Sequence, residues 1–233
     1  DVERPRHQIL KRPELSASDT SRIAIHPSNW AAQGDWRLYF LHRARIEKVT
    51  VDDVRQAAGK YLQRNNRTIG TFVPSEAAGR VTVPDRPDPA KLLAGYTGRK
   101  SEALGVAFDP TPSNIELRVK RSQVAENVSV ALLSKKTRGE IVQVAIDLRY
   151  GDLESLRGFG TAATFLPTLM TRRTKSLSRQ QIEDELNRRR ATLRAKGNTG
   201  EALFSIETKR SELSSVLELL RLVLREPVFP ADE

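Results

Sequence analysis

Hydrophobic positions recur along this chain with two periods, and each period marks its own kind of element. Val142, Val144, Ile146 and Leu148 alternate with Gln143, Ala145, Asp147 and Arg149, the two-residue repeat of a half-buried strand. Just upstream, Val128, Val130 and Leu132 alternate with Ser129, Ala131 and Leu133. The basic stretch Lys135-Lys136-Thr137-Arg138-Gly139 makes a turn between the two runs, and they are expected to pair as a hairpin. Leu213, Val216, Leu217, Leu220 and Leu224 follow helical spacing instead, up to a stop at Pro227. Gly151 and Gly158 bracket a loop that leads into a helix expected from about Gly160 to Arg172. Ser178 with Gln181 is a capping box for a second helix through Arg190, whose Ile182 and Leu186 face inward. Ala191 to Thr208 reads as a further strand or strand pair, with Gly197, Asn198 and Gly200 supplying a turn.

The N-terminal half is patterned for helices. Trp30 to Ile46 is expected to be one helix carrying Trp36, Tyr39, Phe40 and Arg43. Thr50 is placed to cap the next helix, with Asp53 at its third position, and Val54, Ala57, Ala58, Tyr61 and Leu62 have the spacing of one buried face. The run from Arg67 to Val73, β-branched and aromatic between Asn66 and Pro74, predicts a strand. Six of the 12 prolines then fall between Pro74 and Pro112. Proline fixes its own φ and biases the preceding residue toward extended conformations, so this stretch predicts a connector, with one helical run from Ala90 to Tyr96. The order strand, strand, helix, helix, strands, helix predicts an α+β fold, an antiparallel sheet with helices packed on one face.

The composition, 38% hydrophobic and 29% charged over 233 residues, is that of a chain able to bury a core. The absence of cysteine removes disulfides, thiolate zinc sites and cysteine nucleophiles together. No apolar run approaches the roughly 20 residues that cross a bilayer. Asp1 to Arg12 has neither the apolar core of a signal peptide nor an initiator methionine, so a piece of a longer chain or a processed form is expected. The net charge of +10 suits an acidic partner, whether nucleic acid, a membrane surface or an acidic peptide.

Local motifs narrow the chemistry. The three histidines, His7, His26 and His42, lack the i, i+4 spacing of a helical zinc pair. Gly158-Phe159-Gly160 lacks the third glycine of a dinucleotide fingerprint, because Ala163 stands there. Glu183, Asp184 and Glu185 are consecutive, so a helix points them apart, toward solvent and toward Arg188 or Arg189. Basic residues crowd the stretch from Arg172 to Lys196, among them Arg172, Arg173, Lys175, Arg188 and Arg189. Such a face could be merely solvated, could attract acidic peptide, or could bind nucleic acid. The aromatics that would stack on bases are scarce there, since only Phe165 and Phe204 occur between Gly160 and Arg210 and both are expected in the core.

The stretch from Ile141 to Leu186 resembles the opening of a module of the pitrilysin/insulinase-type zinc peptidases, the inverzincins. In that family strands run into R-x-G-D or R-x-G-S, here Arg149-Tyr150-Gly151-Asp152. A loop and a helix bearing His-x-x-Glu-His follow. Anchored on Thr174-Lys175 and on the run from Ser178 to Leu186, that motif falls on Thr164-Phe165-Leu166-Pro167-Thr168. Phe165 and Leu166 match the family's packing positions. The metal and general-base positions are held by Thr164, Pro167 and Thr168, none of which can bind zinc strongly or take a proton from a bound water. A helix running past Thr164 and Thr168 beside a sheet containing Val142 to Leu148 is what this alignment requires.

The resemblance extends to the N-terminal part, where Gly34-Asp35-Trp36-Arg37, Phe40 to Arg43, Ile46 to Thr50 and Lys60-Tyr61-Leu62 look like the close of a module in the bacterial branch. It implies three parts: residues 1–73 as the C-terminal remnant of one peptidase-like module, 74–124 as a connector, and 125–233 as the first part of an inactive module. It also implies a non-catalytic domain of a zinc-protease-like protein, completing a substrate-enclosing chamber and binding peptide. Zinc would then sit only in an active partner module, in cis or in trans, and the parent would be exported to the periplasm. The rivals are a basic nucleic-acid-binding domain and an active metallopeptidase, the latter only through a zinc-bearing module outside this chain. Pro167 carries its own expectation, a kink or a place in the first turn of its helix, since a mid-helix proline costs about 3 kcal/mol.

Overall fold

The computed structural model of the protein describes residues 1–71, 88–98 and 104–229. They form two compact units: Asp1–Arg6 with Ser21–Lys100, and His7–Thr20 with Ser101–Glu233.

In the first unit, α2 (Thr20–Ala31), α3 (Leu38–Lys48), α4 (Val51–Tyr61) and the short α5 (Pro89–Leu93) are helical. The single helix expected over Trp30 to Ile46 is broken at residues 32–37, where Gly34 takes φ +126°. A Cβ at Gly34 would stand 2.5 Å from the Pro89 ring, so this break is also where the chain approaches α5. Aromatic rings join α2 to α3: His26 lies 6.1 Å from Tyr39 and Trp30 lies 5.1 Å from His42. Two of the three histidines are thus ring-packing residues. The Thr50 capping box forms as expected. The apolar face of α4 does not bury: Val54, Tyr61 and Leu62 are exposed. Residues 67–71 join no ladder, and the rest of the expected strand lies outside the described residues.

The second unit contains the end of α1 (Glu3–Leu15), then α6 (Pro112–Arg118), β1 (Val119–Ala125), β2 (Val128–Leu133), β3 (Ile141–Arg149), α7 (Gly160–Met170), α8 (Arg179–Arg188), β4 (Thr192–Asn198), β5 (Glu201–Lys209) and α9 (Leu213–Arg225). The strands make a two-stranded ribbon, β1-β2, and a three-stranded antiparallel sheet in the order β3-β5-β4. The expected hairpin of β2 with β3 is therefore replaced. β2 pairs with β1 across a tight turn whose Asn127 has φ +59°, and β3 pairs with β5 in register from Ile141 opposite Lys209 to Arg149 opposite Glu201. The expected strand pair across 191–208 is β4 and β5, turned at Thr199-Gly200, with Gly197 and Asn198 inside β4 rather than in the turn.

One face of the three-stranded sheet is the core. Ala202, Phe204, Ile206 and Thr208 of β5 are buried, and their neighbours in β5 are only half-buried. Ile182 and Leu186 of α8 and Val216, Leu219, Leu220 and Val223 of α9 pack with them in one cluster. Area removed from water, at roughly 25 cal/mol per Å², makes such a cluster the main stabilising term of the unit. The helices thus sit on one face of an antiparallel sheet, the α+β architecture expected. On the opposite face, Gln143, Thr192, Arg194, Ser205 and Glu207 surround a hollow of about 300 Å³. Residues 7–20 pack with the second unit, and the described part of 74–124 includes α5, α6 and nearly all of β1.

Candidate functional site

The site begins in the turn after β3. Gly151, at φ +66°, lies against Leu156 so closely that a Cβ would meet its Cγ at 2.9 Å. Asp152 then folds the loop by accepting hydrogen bonds from the Glu154 N–H at 3.1 Å and the Ser155 N–H at 2.8 Å. The Ser155 backbone bond, more than any other contact, holds the Asp152 carboxyl below its usual value. Tyr150, anchored by its N–H to the Gly200 carbonyl at 3.0 Å, reaches α7 with its hydroxyl.

Pro167 falls in the second half of α7, not in its first turn, and the helix continues through it to Met170. Lacking an N–H, it cannot bond the carbonyl of Ala163 four residues earlier. The Tyr150 hydroxyl donates to that carbonyl at 3.3 Å. A buried acceptor that the proline would orphan is thereby satisfied. This accounts for a helix that continues through Pro167, which was expected in the first turn or at a kink and does not lie in the first turn. The sequence reasoning missed Tyr150. The signal was present, since a proline in a helix points to the carbonyl four residues back and a nearby hydroxyl is a natural donor.

α7 lies against β4 at the same place. Gly197 is opposite Ala202 on the core face of the sheet, and a Cβ there would stand 2.3 Å from the Thr164 carbonyl oxygen, 2.7 Å from that of Ala163 and 2.8 Å from Pro167 Cδ. Only glycine admits the helix backbone so close. The two threonines have both hydroxyls committed to main chain. Thr164 donates to the Gly160 carbonyl at 2.9 Å, and Thr168 donates to the Ala195 carbonyl of β4 at 3.3 Å. Of the two expected packing positions, Leu166 is half-buried and Phe165 is 58% exposed, so Phe165 is not a core residue of the described chain. Pro167 and Ala163 are the buried residues of α7 instead. Among the described residues no group of three or more His, Cys, Asp or Glu is arranged to hold a metal ion, and no helix is long and apolar enough to cross a membrane.

The basic residues divide by environment. Arg188 and Arg189 share Glu185 at 2.5 and 3.3 Å, and Arg189 also reaches Glu212 at 3.3 Å. Arg172, Arg173 and Lys175 lie after α7, where main chain rather than side chain fixes them: the Val228 N–H donates to the Arg173 carbonyl and the Lys175 N–H to the Glu226 carbonyl, each at 3.0 Å. Their side chains have no ion pair among the described residues. The segment thus joins the end of α9 through a bridge between Thr174 and Pro227.

No family model matches the chain, and no curated protein does. Solved structures do resemble it. The peptidase M16 inactive domain from Pseudomonas fluorescens aligns over 49% of this chain at 16% identity with a TM-score of 0.41. The ferredoxin protease FusC, solved in complex with Arabidopsis ferredoxin, aligns over 97% at 12% identity with a TM-score of 0.36. The periplasmic protease PqqL from Escherichia coli aligns over 99% at 14% identity with a TM-score of 0.33. The chain spans 28% of the length of each of these three chains.

Proposed function

We propose that this chain is a non-catalytic, zinc-peptidase-like domain that completes a substrate-enclosing chamber and binds peptide, with catalytic zinc held by a partner module in cis or in trans. The observation that carries this reading is α7. It runs beside β4 and β5, and on the resemblance it would carry the metal motif at Thr164, Pro167 and Thr168. Both threonine hydroxyls are spent on backbone carbonyls, and Pro167 offers no base. A helix in this state has kept its packing role and has no group to activate water. Arg172, Arg173 and Lys175, exposed or half-buried and without ion pairs among the described residues, are the part of the surface after α7 that would attract acidic stretches of a peptide. Arg188 and Arg189, already neutralised by Glu185 and Glu212, would contribute less. A periplasmic parent is part of the same proposal.

The test is to purify the chain, dialyse it against zinc, and measure bound metal and cleavage of an unfolded protein with and without chelator. Substoichiometric zinc and no chelator-sensitive cleavage are expected. One tightly bound zinc per chain together with chelator-sensitive cleavage would show an active peptidase and end the proposal.

A further inference from the structure

A second cationic site lies where residues 104–108 run beside the turn that follows β2. The Val106 N–H donates to the Lys136 carbonyl at 3.0 Å. Gly105 packs so tightly on this turn that a Cβ would stand 2.9 Å from the Arg138 backbone nitrogen. Together with the start of β3 these segments enclose an open groove of about 670 Å³. Its lining includes the aliphatic side chains of Val106, Ile141 and Val142, and four cations stand around it: Arg118, Lys135, Lys136 and Arg210. Glu140 is the acidic residue of the lining. None of the four cations has an ion pair among the described residues. Lys135 Nζ and the Arg118 guanidinium sit 5.0 and 5.5 Å from the centre of the Phe108 ring, which fixes both charges at the groove.

Like charges gathered at one hollow repel each other, and an anionic occupant relieves that repulsion. The aliphatic lining adds a preference for apolar groups between the anions. We propose that this groove binds an acidic peptide segment, with its carboxylates on Arg118, Lys135, Lys136 and Arg210 and its aliphatic side chains against Val106 and Val142. A peptide fits better than a nucleic acid. The Phe108 ring is already engaged by cations rather than free for a base to stack on, and the aliphatic lining of Val106, Ile141 and Val142 suits apolar side chains between the anions. The groove shares no residue with α7 or with the basic segment after it, so the inference holds whether or not the peptidase reading does.

The test uses the whole chain and a fluorescein-labelled peptide alternating Glu with Leu, followed by fluorescence anisotropy. The same peptide with Lys in place of Glu and a labelled single-stranded oligonucleotide serve as comparisons. Two variants carry the same change in net charge: Arg118→Glu with Lys135→Glu, and Arg172→Glu with Arg173→Glu. The milder pair Lys135→Ala with Lys136→Ala guards against misfolding in the first, and circular dichroism checks all three. Binding of the acidic peptide that falls by about tenfold or more in both groove variants, and little in the Arg172 and Arg173 variant, is expected. Equal loss in the two charge-reversal variants would reduce the effect to the general positive field. Loss confined to the Arg172 and Arg173 variant would move the peptide to the segment after α7. Tighter binding of the oligonucleotide, or no binding of the acidic peptide, would equally overturn the proposal.

Discussion

The Tyr150 hydroxyl donates to the Ala163 carbonyl, the acceptor that Pro167 leaves without its helical partner. This hydrogen bond therefore couples the residue after β3 to the part of α7 that Pro167 disturbs. Tyr150→Phe should destabilise the second unit by about 1 kcal/mol, since it strands a part-buried carbonyl. Pro167→Ala restores a backbone N–H four residues from Ala163, so Tyr150→Phe should cost clearly less in that background. Urea unfolding of the parent, both single variants and the double variant gives the coupling directly. Additive effects would show that the two residues act independently.

Gly197 is where α7 comes closest to β4. Gly197→Ala puts a methyl group within 2.3 and 2.7 Å of two helix carbonyl oxygens, backbone atoms that can yield only if the helix moves off the sheet. Overpacking of this kind costs about 1–3 kcal/mol, and the steepness of the contact puts this case at the upper end. Gly59→Ala is the contrast: it lies inside α4, and apart from the helix's own neighbouring backbone no described atom lies within 4 Å of the added Cβ. It should stabilise its helix by about 0.5–1 kcal/mol, because alanine loses less backbone entropy. Thermal unfolding, with a probe in each unit, separates the two effects.

What the sequence reveals here depends on whether burial or pairing decides the structure. The alternation of Val142 to Leu148 marks β3 because one face of that strand is half-buried from Val142 to Ile146, and the Ser178 and Thr50 boxes form because capping is local. Pairing is not local. Val128 to Leu133 joins β1, whose sequence from Val119 to Ala125 is too polar to announce a strand and is almost wholly exposed. The apolar spacings of α4 and Phe165 misled in the other direction, since periodicity gives a face without saying what covers it. At α7, the degenerate motif residues were legible from types alone. Pro167 already pointed to an orphaned carbonyl at Ala163, but that Tyr150 supplies its donor and that Gly197 meets the helix were visible only once β3, β5 and β4 were in register.

The α4 cap makes a prediction in pH. Asp53 accepts from the Thr50 hydroxyl and from the Thr50 N–H, at 2.7 and 2.8 Å, while the Thr50 hydroxyl accepts from the Asp53 N–H at 3.1 Å. The side-chain bond from Thr50, followed by the backbone bond, holds the Asp53 carboxyl below its ordinary value of 3.8. A depressed carboxylate stabilises the fold above its unfolded pKa and loses that contribution as pH falls through the folded value. The start of α4 should therefore stay intact through mildly acidic pH and fray only below the ordinary Asp range. In Thr50→Ala the Asp53 titration, followed by NMR, should shift back upward, and the helix should lose about 1 kcal/mol at neutral pH. An unmoved Asp53 midpoint would show that the box does not form in solution.

Residues 7–20 should be held to the second unit chiefly through Glu14. Its side chain is 12% exposed, and the carboxylate lies 3.5 Å from Arg190 and 3.0 Å from Lys209. Arg190 is preset for this contact: it follows the capping residue of α8 at φ +52°, the Ala191 N–H returns to the Leu186 carbonyl at 2.8 Å, and the Arg190 guanidinium also donates to the His7 carbonyl at 2.9 Å. Glu14→Ala leaves two cations partly buried without their anion, a change worth about 1–3 kcal/mol, short of the cost at a fully buried pair because both cations keep some solvent. The loss should be local before it is global. Hydrogen exchange should quicken first across Leu10 to Leu15, whose buried side chains depend on this anchor, while β5 and α9 keep their protection. Uniform loss of protection would make the segment an integral part of the core, and unchanged exchange would show that Leu10 and Leu15 hold it without help from the ion pairs.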